Sequence, residues 1–282
     1  MALASADFEY IRKLVYERAA IALDEGKSYL VETRLAPLAR TQGFASIEEL
    51  VIQLRGKVFG RLHKAVVDAM TTNETSFFRD IHPFESLRKE ILPEMLKLRA
   101  TARTLTIWCA ASSSGQEPYS IAMILRQDFP QLSTWKVRIL ATDISSTMIE
   151  RARAGCFSQL EVNRGLPAPL LVRFFEKDGM TWQIKDEIRK MVEFRELNLK
   201  DNFPPLPGVD ILFIRNVLIY FDVETKRSVL SKIAKVLKPD GYLFLGGAET
   251  TINIDASFSR RTIGKTVCYQ KGAEKSVGAL AR

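Results

Sequence analysis

Cysteine and histidine are scarce in this chain, and their scarcity argues against several kinds of site. The 282 residues include three cysteines and two histidines. Cys109, Cys156 and Cys268 lie far apart without a CxxC spacing, so the sequence predicts neither a disulfide framework nor a zinc site and favours a reducing compartment. His63 and His82 are interpreted as packing or surface residues, so we expect no metal centre.

Long hydrophobic runs are also missing. No apolar stretch approaches the ~20 residues of a membrane span, and the first residues lack the basic-then-apolar pattern of a secretory signal. We therefore expect a soluble, cytoplasmic protein that is not inserted in a membrane. The net charge of +8 and the pI of about 9.4 suit nucleic acid, an anionic membrane or an acidic protein partner, and charge alone does not choose among these.

Glycine-rich phosphate loops are absent too. The stretch LTIWCAASSSGQEPYSIA (105–122) is typical of a buried strand, a turn of small residues and a helix, which is where an α/β protein places a ligand. Its turn contains one glycine, Gly115, so it matches neither GxGxxG nor GxxxxGK(S/T). Small side chains in this turn still allow a ligand to approach the backbone closely.

The chain divides into a helical part and an α/β part. Apolar residues recur at helical spacing from Phe8 to about Met70, with a helix predicted to be interrupted or bent near Pro37. After about residue 100, short apolar strands alternate with helices, which predicts a doubly wound, mostly parallel sheet. The final strand, TVCYQK, is expected to be antiparallel at the end of the sheet.

These patterns predict the domain boundaries. A small all-helical domain covers 1–85, a linker helix covers 86–102, and the α/β domain covers 103–282. Residues 155–190 break the strand and helix alternation and are interpreted as an inserted β-subdomain. The last ~10 residues are expected to form a frayed tail.

Two acidic residues at strand ends indicate the ligand. Glu117 opens the helix after the first strand, where a carboxylate would repel phosphates and stabilise a cation. Asp143 ends the second strand, where an acid suits the two hydroxyls of a ribose. S-adenosylmethionine (SAM) is a nucleoside with a positive charge and no phosphate, so these two acids indicate SAM as the ligand. The alternative is that Glu117 only caps a helix and Asp143 only opens a turn.

Five separated segments then resemble one family, in order and spacing. They are MTTNETSFFRD (70–80), WCAASSSGQEPYS (108–120), LATDIS (140–145), FIRNVLIYFD (213–222) and LKPDGYLFLGGAE (237–249). Together they resemble the bacterial chemotaxis receptor methyltransferases, the CheR family. The resemblance implies a SAM-dependent protein-glutamate O-methyltransferase that acts on the cytoplasmic helical bundle of a chemoreceptor. It also implies the SAM-dependent methyltransferase fold, with a helical N-terminal domain and a β-subdomain.

The resemblance assigns site residues by position. Arg79 and Tyr220 would be catalytic, beside the transferred methyl. The cofactor-binding residues would be Asn73, Thr75, Arg79, Glu117, Asp143, Asn198, Leu199, Arg215 and Asn216. A glutamate is already ionised at neutral pH, so no general base is needed, and we expect Arg79 to orient the acceptor carboxylate.

A basic face would dock the receptor. The resemblance implies contact through Arg34, Arg40, Arg55 and Lys57, for which a solvated helix surface is the alternative. Some family members also bind a pentapeptide at the receptor C-terminus through a lengthened loop of the β-subdomain. The segment FFEKDGMTWQIKDE (174–187) is short, so we expect no dependence on that tether.

Other function classes stay open at this point. A methyltransferase for another acceptor, such as RNA, would suit the basic pI, but no added RNA-binding fold or aromatic-basic platform is evident, so no nucleic-acid partner is expected. RNVLIYF weakly resembles the (D/N)PP(Y/F) site of amino-methylating enzymes but lacks the prolines. A non-catalytic SAM-sensing receptor adaptor is the remaining alternative.

Overall fold

The computed structural model describes residues 3–206 and 208–272, so the predicted frayed tail lies outside the described residues. The N-terminal part is helical, as predicted. Its four helices are α1 (Ser5–Ala19), α2 (Ser28–Thr41), α3 (Ile47–Arg55) and α4 (Arg61–Met70). Their apolar faces close around a common core that includes Ile11, Val15, Val31, Leu35 and Leu50, all fully buried.

The predicted interruption at Pro37 is wrong, because α2 continues through this residue to Thr41. A proline inside a helix removes the hydrogen bond to the carbonyl four residues earlier, here that of Thr33. Both Thr33 and Pro37 lie on the exposed face of the helix, where solvent can reach the freed carbonyl. The buried face of α2 is therefore uninterrupted.

A second helical segment connects the two parts and packs against the sheet. It consists of α5 (His82–Ser86), a π-helical turn (Leu87–Ile91) and α6 (Leu92–Leu98). Phe84, Leu87 and Met95 are buried in the same apolar cluster as the strands. The segment predicted as a linker helix is thus part of the packing of the α/β domain.

A seven-stranded sheet forms the α/β domain, and the predicted fold class is confirmed. The strands are β1 (Thr104–Ala110), β2 (Lys136–Asp143), β6 (Val192–Glu196), β7 (Val209–Ile214), β8 (Leu237–Leu245), β9 (Phe258–Ile263) and β10 (Thr266–Lys271). Their order is β6-β2-β1-β7-β8-β10-β9; β10 pairs antiparallel with both β8 and β9, and the other pairs are parallel. The larger helices are α7 (Gln116–Asp128), α8 (Ser146–Ala154) and α12 (Val223–Val236).

The placement of β10 differs from the prediction. It is antiparallel as expected, but it lies between β8 and β9 rather than at the end of the sheet. β9 was not predicted, because its residues from Ser259 to Thr262 are exposed and the strand therefore lacks a buried apolar run. A hairpin therefore closes this side of the sheet.

The inserted β-subdomain is present as predicted. It contains β3 (Cys156–Ser158), β4 (Phe175–Asp178) and β5 (Thr181–Ile184) in the antiparallel order β3-β5-β4. Three short helices accompany them: α9 (Gln159–Asn163), α10 (Ala168–Phe174) and α11 (Asp186–Arg189). Within the described ranges, no helix has both the length and the apolar character that crossing a membrane requires.

The insertion packs against the segment that precedes α5. Phe77 contacts Phe157 and Phe175 edge to face, with ring centroids 5.0 Å and 5.7 Å apart. Gly165 has a φ of +87°, and a Cβ at this position would overlap the carbonyl oxygen of Phe77. A glycine is therefore required where the insertion meets residues 73–80.

Candidate functional site

A cavity lies at the carboxyl ends of the parallel strands, where β1 separates β2 from β7. This is the switch point at which doubly wound sheets hold ligands. Its lining includes every catalytic and cofactor-binding residue that the sequence nominates: Asn73, Thr75, Arg79, Glu117, Asp143, Asn198, Leu199, Arg215, Asn216 and Tyr220. The fold thus brings together residues from five separate segments of the chain.

The turn after β1 is built from small residues in unusual backbone conformations. Ala111, Ser113 and Gly115 have φ values of +54°, +49° and +95°. A Cβ on Gly115 would lie 3.1 Å from Ala152 and 3.2 Å from the rings of Phe194 and Tyr119. The single glycine of this turn is therefore used for helix packing rather than for phosphate binding.

Asp143 fixes that turn to the end of β2. Its two carboxylate oxygens accept the backbone N–H groups of Ser113 at 2.8 Å and Ser145 at 2.9 Å. Burial raises the pKa of Asp143, and these hydrogen bonds oppose the rise. Each oxygen keeps a second lone pair, so the carboxylate can still accept hydroxyl donors from a ligand.

Glu117 is ion-paired, which the sequence did not reveal. Its carboxylate accepts a hydrogen bond of 3.0 Å from the guanidinium of Arg215. Burial raises the pKa of Glu117, and the neighbouring Arg215 charge lowers it. Arg215 also donates to the carbonyl of Arg79 at 2.9 Å and to Asp80 at 2.7 Å. A single buried arginine therefore links the first turn of α7 to the segment that carries Arg79.

The segment before α5 reaches the cavity in a strained conformation. Phe78, Asp80 and Ile81 have φ values of +49°, +65° and +30°. Non-glycine residues in this region store strain and often lie at functional sites. Arg79 stands between them, and its guanidinium donates to the carbonyl of Glu74 at 2.9 Å.

Glu249 and Gly246 support the loop that carries the cavity residue Asn216, a role that was not predicted from the sequence. The Glu249 carboxylate accepts the backbone N–H groups of Asn216 at 2.8 Å, Gly246 at 2.6 Å and Ile219 at 3.3 Å. A Cβ on Gly246 would lie within 2.9 Å of atoms of both Asn216 and Glu249. The GGAE motif is the only sequence signal for this contact, because the loop that Glu249 holds lies about 30 residues earlier in the chain.

Asn198 has a structural contact in addition to its place in the cavity wall. Its amide nitrogen donates to the carbonyl of Arg18 at 2.7 Å, and its oxygen accepts from the Lys200 backbone at 3.0 Å. Together with the hydrogen bond from Ala22 to the carbonyl of Tyr220, this contact holds the helical domain over the cavity.

Unpartnered polar atoms indicate that a polar ligand fits the cavity. Among the residues described, four buried side-chain polar atoms have no hydrogen-bond partner. Three of them belong to residues that line the cavity: Ser112 Oγ, Arg215 Nε and Asn216 Oδ1. Buried polar atoms are normally paired, so their concentration here is consistent with a bound nucleoside.

The four proposed docking residues differ in their surroundings. Arg34 is turned inward, where it donates to the carbonyl of Thr71 at 3.1 Å and to Thr72 Oγ1 at 2.8 Å. Arg55 pairs with Asp7 at 2.9 Å, next to the ring of Tyr10. Of these four, Arg40 and Lys57 are exposed and have no ion-pair partner among the described residues. Arg34 anchors the segment that enters the site and Arg55 is paired with an acid, while the docking role of all four stays a prediction.

Asp68 gives the domain junction a pH dependence. It is half-buried on α4, and burial raises its pKa to about 6 against the attraction of Lys64 and a hydrogen bond with Ser145, with Glu196 and Asp143 raising it further. The folded protein therefore binds a proton between pH 4 and 6 that the unfolded chain does not, and stability declines as the pH rises through this range.

We expect Asp68→Asn to raise the free energy of unfolding at pH 8 by about 1 kcal/mol, a value kept small because the carboxylate is partly exposed. At pH 3 the variant and the parent should differ little, since Asp68 is then protonated in the folded protein and mostly protonated in the unfolded chain. Urea titrations at the two pH values measure this difference. A variant less stable than the parent at pH 8 would contradict the assignment.

Comparison with known proteins agrees with this geometry. Residues 73–266 match the model described as CheR methyltransferase, SAM binding domain, and residues 6–71 match CheR methyltransferase, all-alpha domain. The chain is 46% identical over 275 residues to chemotaxis protein methyltransferase 1 of Pseudomonas aeruginosa, covering 96% of this chain and 99% of that protein.

Two further relatives have similar coverage. Chemotaxis protein methyltransferase Cher2 of Pseudomonas putida is 41% identical over 275 residues, covering 96% of this chain and 99% of that protein. The chemotaxis protein methyltransferase of Vibrio parahaemolyticus is 42% identical over 278 residues, covering 95% and 98%. The resemblance that the sequence motifs indicate is confirmed, and the chain belongs to the CheR methyltransferase family, with a SAM-binding methyltransferase domain.

Proposed function

We propose that this protein transfers a methyl group from SAM to glutamate side chains of a chemoreceptor, giving methyl esters on its cytoplasmic helical bundle. One observation carries the choice of acceptor. The described cavity lining has no free general base, because Glu117 pairs with Arg215, Asp143 accepts two backbone N–H groups, and Glu74 pairs with Arg164. An acceptor that is already ionised, such as a glutamate, suits this arrangement.

The residues present fit SAM. Asp143 would accept the ribose hydroxyls, and the half-buried to buried wall formed by Asn198 and Leu199 would flank the adenine. Asn73, Thr75, Asn216 and the Glu117–Arg215 pair would surround the methionine end. When bound, SAM would supply the methyl group of its sulfonium: a carboxylate oxygen bonds to the methyl carbon as the carbon–sulfur bond breaks, which leaves S-adenosylhomocysteine.

The chain's own contribution is orientation. Arg79 would hold the acceptor carboxylate through its forked N–H donors, and Tyr220 would present its hydroxyl beside the reacting carbon. Aligning two reactants in this way can lower a barrier by about 7–11 kcal/mol. The hydrogen bond from Arg79 to Glu74 and the one from Arg215 to the Arg79 carbonyl keep this arginine in place.

Mass spectrometry of a chemoreceptor cytoplasmic fragment after reaction with SAM tests the proposal. We expect mass increases of one methyl on specific glutamates, removed by mild alkali as esters are. Parallel incubation with total RNA and labelled SAM tests the RNA alternative. Label transferred to RNA, or SAM binding without any turnover on receptor, would contradict the proposed function.

Receptor docking is proposed at Arg40 and Lys57, two exposed cations of the helical domain that have no ion-pair partner among the described residues. We expect Arg40→Glu/Lys57→Glu to raise KM for the receptor fragment by about tenfold with no change in SAM affinity. The charge-matched control is Lys97→Glu/Lys235→Glu, which changes two exposed lysines in the last turns of α6 and α12. Arg34→Glu is not a clean test, since Arg34 holds Thr71 and Thr72. A KM equal to that of the control would place docking elsewhere.

We also propose that activity does not depend on a pentapeptide tether. The β4–β5 hairpin turns through two residues only, Gly179 and Met180, between Asp178 and Thr181. A receptor fragment truncated at its C-terminus should be methylated with the same kcat/KM as the complete fragment, within about twofold. Micromolar binding of the isolated pentapeptide in a calorimetric titration would overturn this.

A further inference from the structure

A second groove adjoins the site on the far side of Arg215. It lies between Asp80–Pro83, the loop after β8, and the β9–β10 hairpin, and we call it the hairpin groove. Its volume is about 450 Å³. Arg215 lines both the hairpin groove and the SAM cavity, and Asp80 and Glu249 line the groove beside it. The two spaces therefore meet at Arg215.

The charges of the hairpin groove are unbalanced. Arg260 and Lys265 are exposed on the hairpin, and neither has an ion-pair or side-chain hydrogen-bond partner among the described residues. The carboxylates of the groove are already engaged, Asp80 by Arg215 and Glu249 by three backbone N–H groups. Two cations are thus left without an internal counter-charge.

A buried hydroxyl adds a second, independent observation. Thr266 lines the hairpin groove with only 5% of its surface exposed, and its Oγ1 is one of the four buried polar atoms without a partner in the described chain. The two exposed cations and Thr266 all line the hairpin groove. This set of donors suits a carboxylate.

We propose that the hairpin groove binds a second acidic side chain of the acceptor, next to the glutamate that is methylated. The inference rests on the proposed function and extends it to substrate selection, because a helix that presents one glutamate to Arg79 would present a neighbouring carboxylate to Arg260 and Lys265. Acidic residues around the acceptor glutamate would then determine which sites are modified.

Kinetics on a chemoreceptor cytoplasmic fragment test this. Arg260→Gln/Lys265→Gln should raise KM for the fragment by about 5- to 20-fold and change kcat and SAM affinity by less than about twofold. The control Lys97→Gln/Lys235→Gln removes an equal number of positive charges outside the hairpin groove and should leave KM unchanged. A hairpin variant that behaves like this control would overturn the proposal.

A double-mutant cycle separates the contact from a general charge effect. Replacing the acidic neighbours of the methylated glutamate with glutamine should raise KM for the parent enzyme but have little further effect on the hairpin variant. Additive effects would overturn the proposal. A second result would also overturn it: millimolar phosphate inhibits the parent enzyme but not the hairpin variant, while the acidic neighbours have no effect on KM. The groove would then bind a free anion.

The failure of this inference is distinguishable from failure of the proposed function. Calorimetric binding of the unmethylated fragment reports on the hairpin groove without turnover. If the parent enzyme forms no glutamate esters, the proposed function fails. If it forms them and the cycle shows no coupling, only the groove assignment fails.

Discussion

Replacing Arg79 with alanine (Arg79→Ala) is expected to lower kcat by about 100- to 1000-fold while SAM affinity changes by less than about threefold. One amino group of Arg79 is occupied by the Glu74 carbonyl, which leaves further donors of the guanidinium for the acceptor carboxylate. Losing them removes alignment of the acceptor and little of the surface that binds SAM. Single-turnover rates with the receptor fragment and calorimetry with SAM measure the two effects.

Two further variants sharpen this test. Arg79→Lys keeps the charge but not the forked geometry, so its rate should fall between those of the parent and the alanine variant. Arg227→Ala is the matched control, since Arg227 is exposed on α12 and donates to a backbone carbonyl, as Arg79 does, but does not line the cavity. Equal losses of rate and SAM affinity in Arg79→Ala would show that Arg79 serves binding rather than orientation.

Arg215→Met is expected to lower the free energy of unfolding by about 3–5 kcal/mol and to abolish SAM binding. Only 2% of the Arg215 side chain is exposed, and it is the hydrogen-bonded partner of the buried Glu117. Removing it leaves a carboxylate that is buried and unpaired, and also frees the Arg79 carbonyl and Asp80. Guanidinium denaturation and calorimetry give the two quantities.

The pH dependence of this variant identifies the cause. Without the arginine, burial raises the pKa of Glu117 further, so the loss of stability should be largest at neutral pH and should shrink as the pH falls towards the ordinary pKa of a glutamate. Arg215→Met/Glu117→Gln should recover most of the stability at pH 7 but not the binding of SAM. A double variant as unstable as the single one would contradict this account.

Much of the site was predictable because parallel strands bring their carboxyl ends to one edge of a sheet. Glu117 and Asp143 follow two neighbouring strands, so their meeting at a cavity follows from the order of strands and helices. The family motifs indicated Arg79 and Tyr220 as site residues, and both line the cavity. The predicted helical domain rests on local apolar periodicity, and the predicted β-subdomain rests on the break in the strand and helix alternation at 155–190.

Contacts between distant segments were not predictable. Glu117 and Arg215 are 98 positions apart, and the sequence showed each as a separate ligand contact rather than as a pair. Arg34 was expected on a docking face, but it lies 37 positions from the Thr71 carbonyl that it holds. The position of β10 depended on β9, whose exposed residues gave no periodic signal.

The order of elements, the division into a helical and an α/β part, and the polar residues at the strand ends can all be read from the amino-acid pattern. They follow from backbone periodicity and from connections between neighbouring strands. Which charged groups pair with one another, and which remain for ligands, is set by the packing of the whole chain. That outcome depends on how buried side chains find partners once the segments have packed, and here it left Arg79 at the cavity and Arg260 and Lys265 beside it.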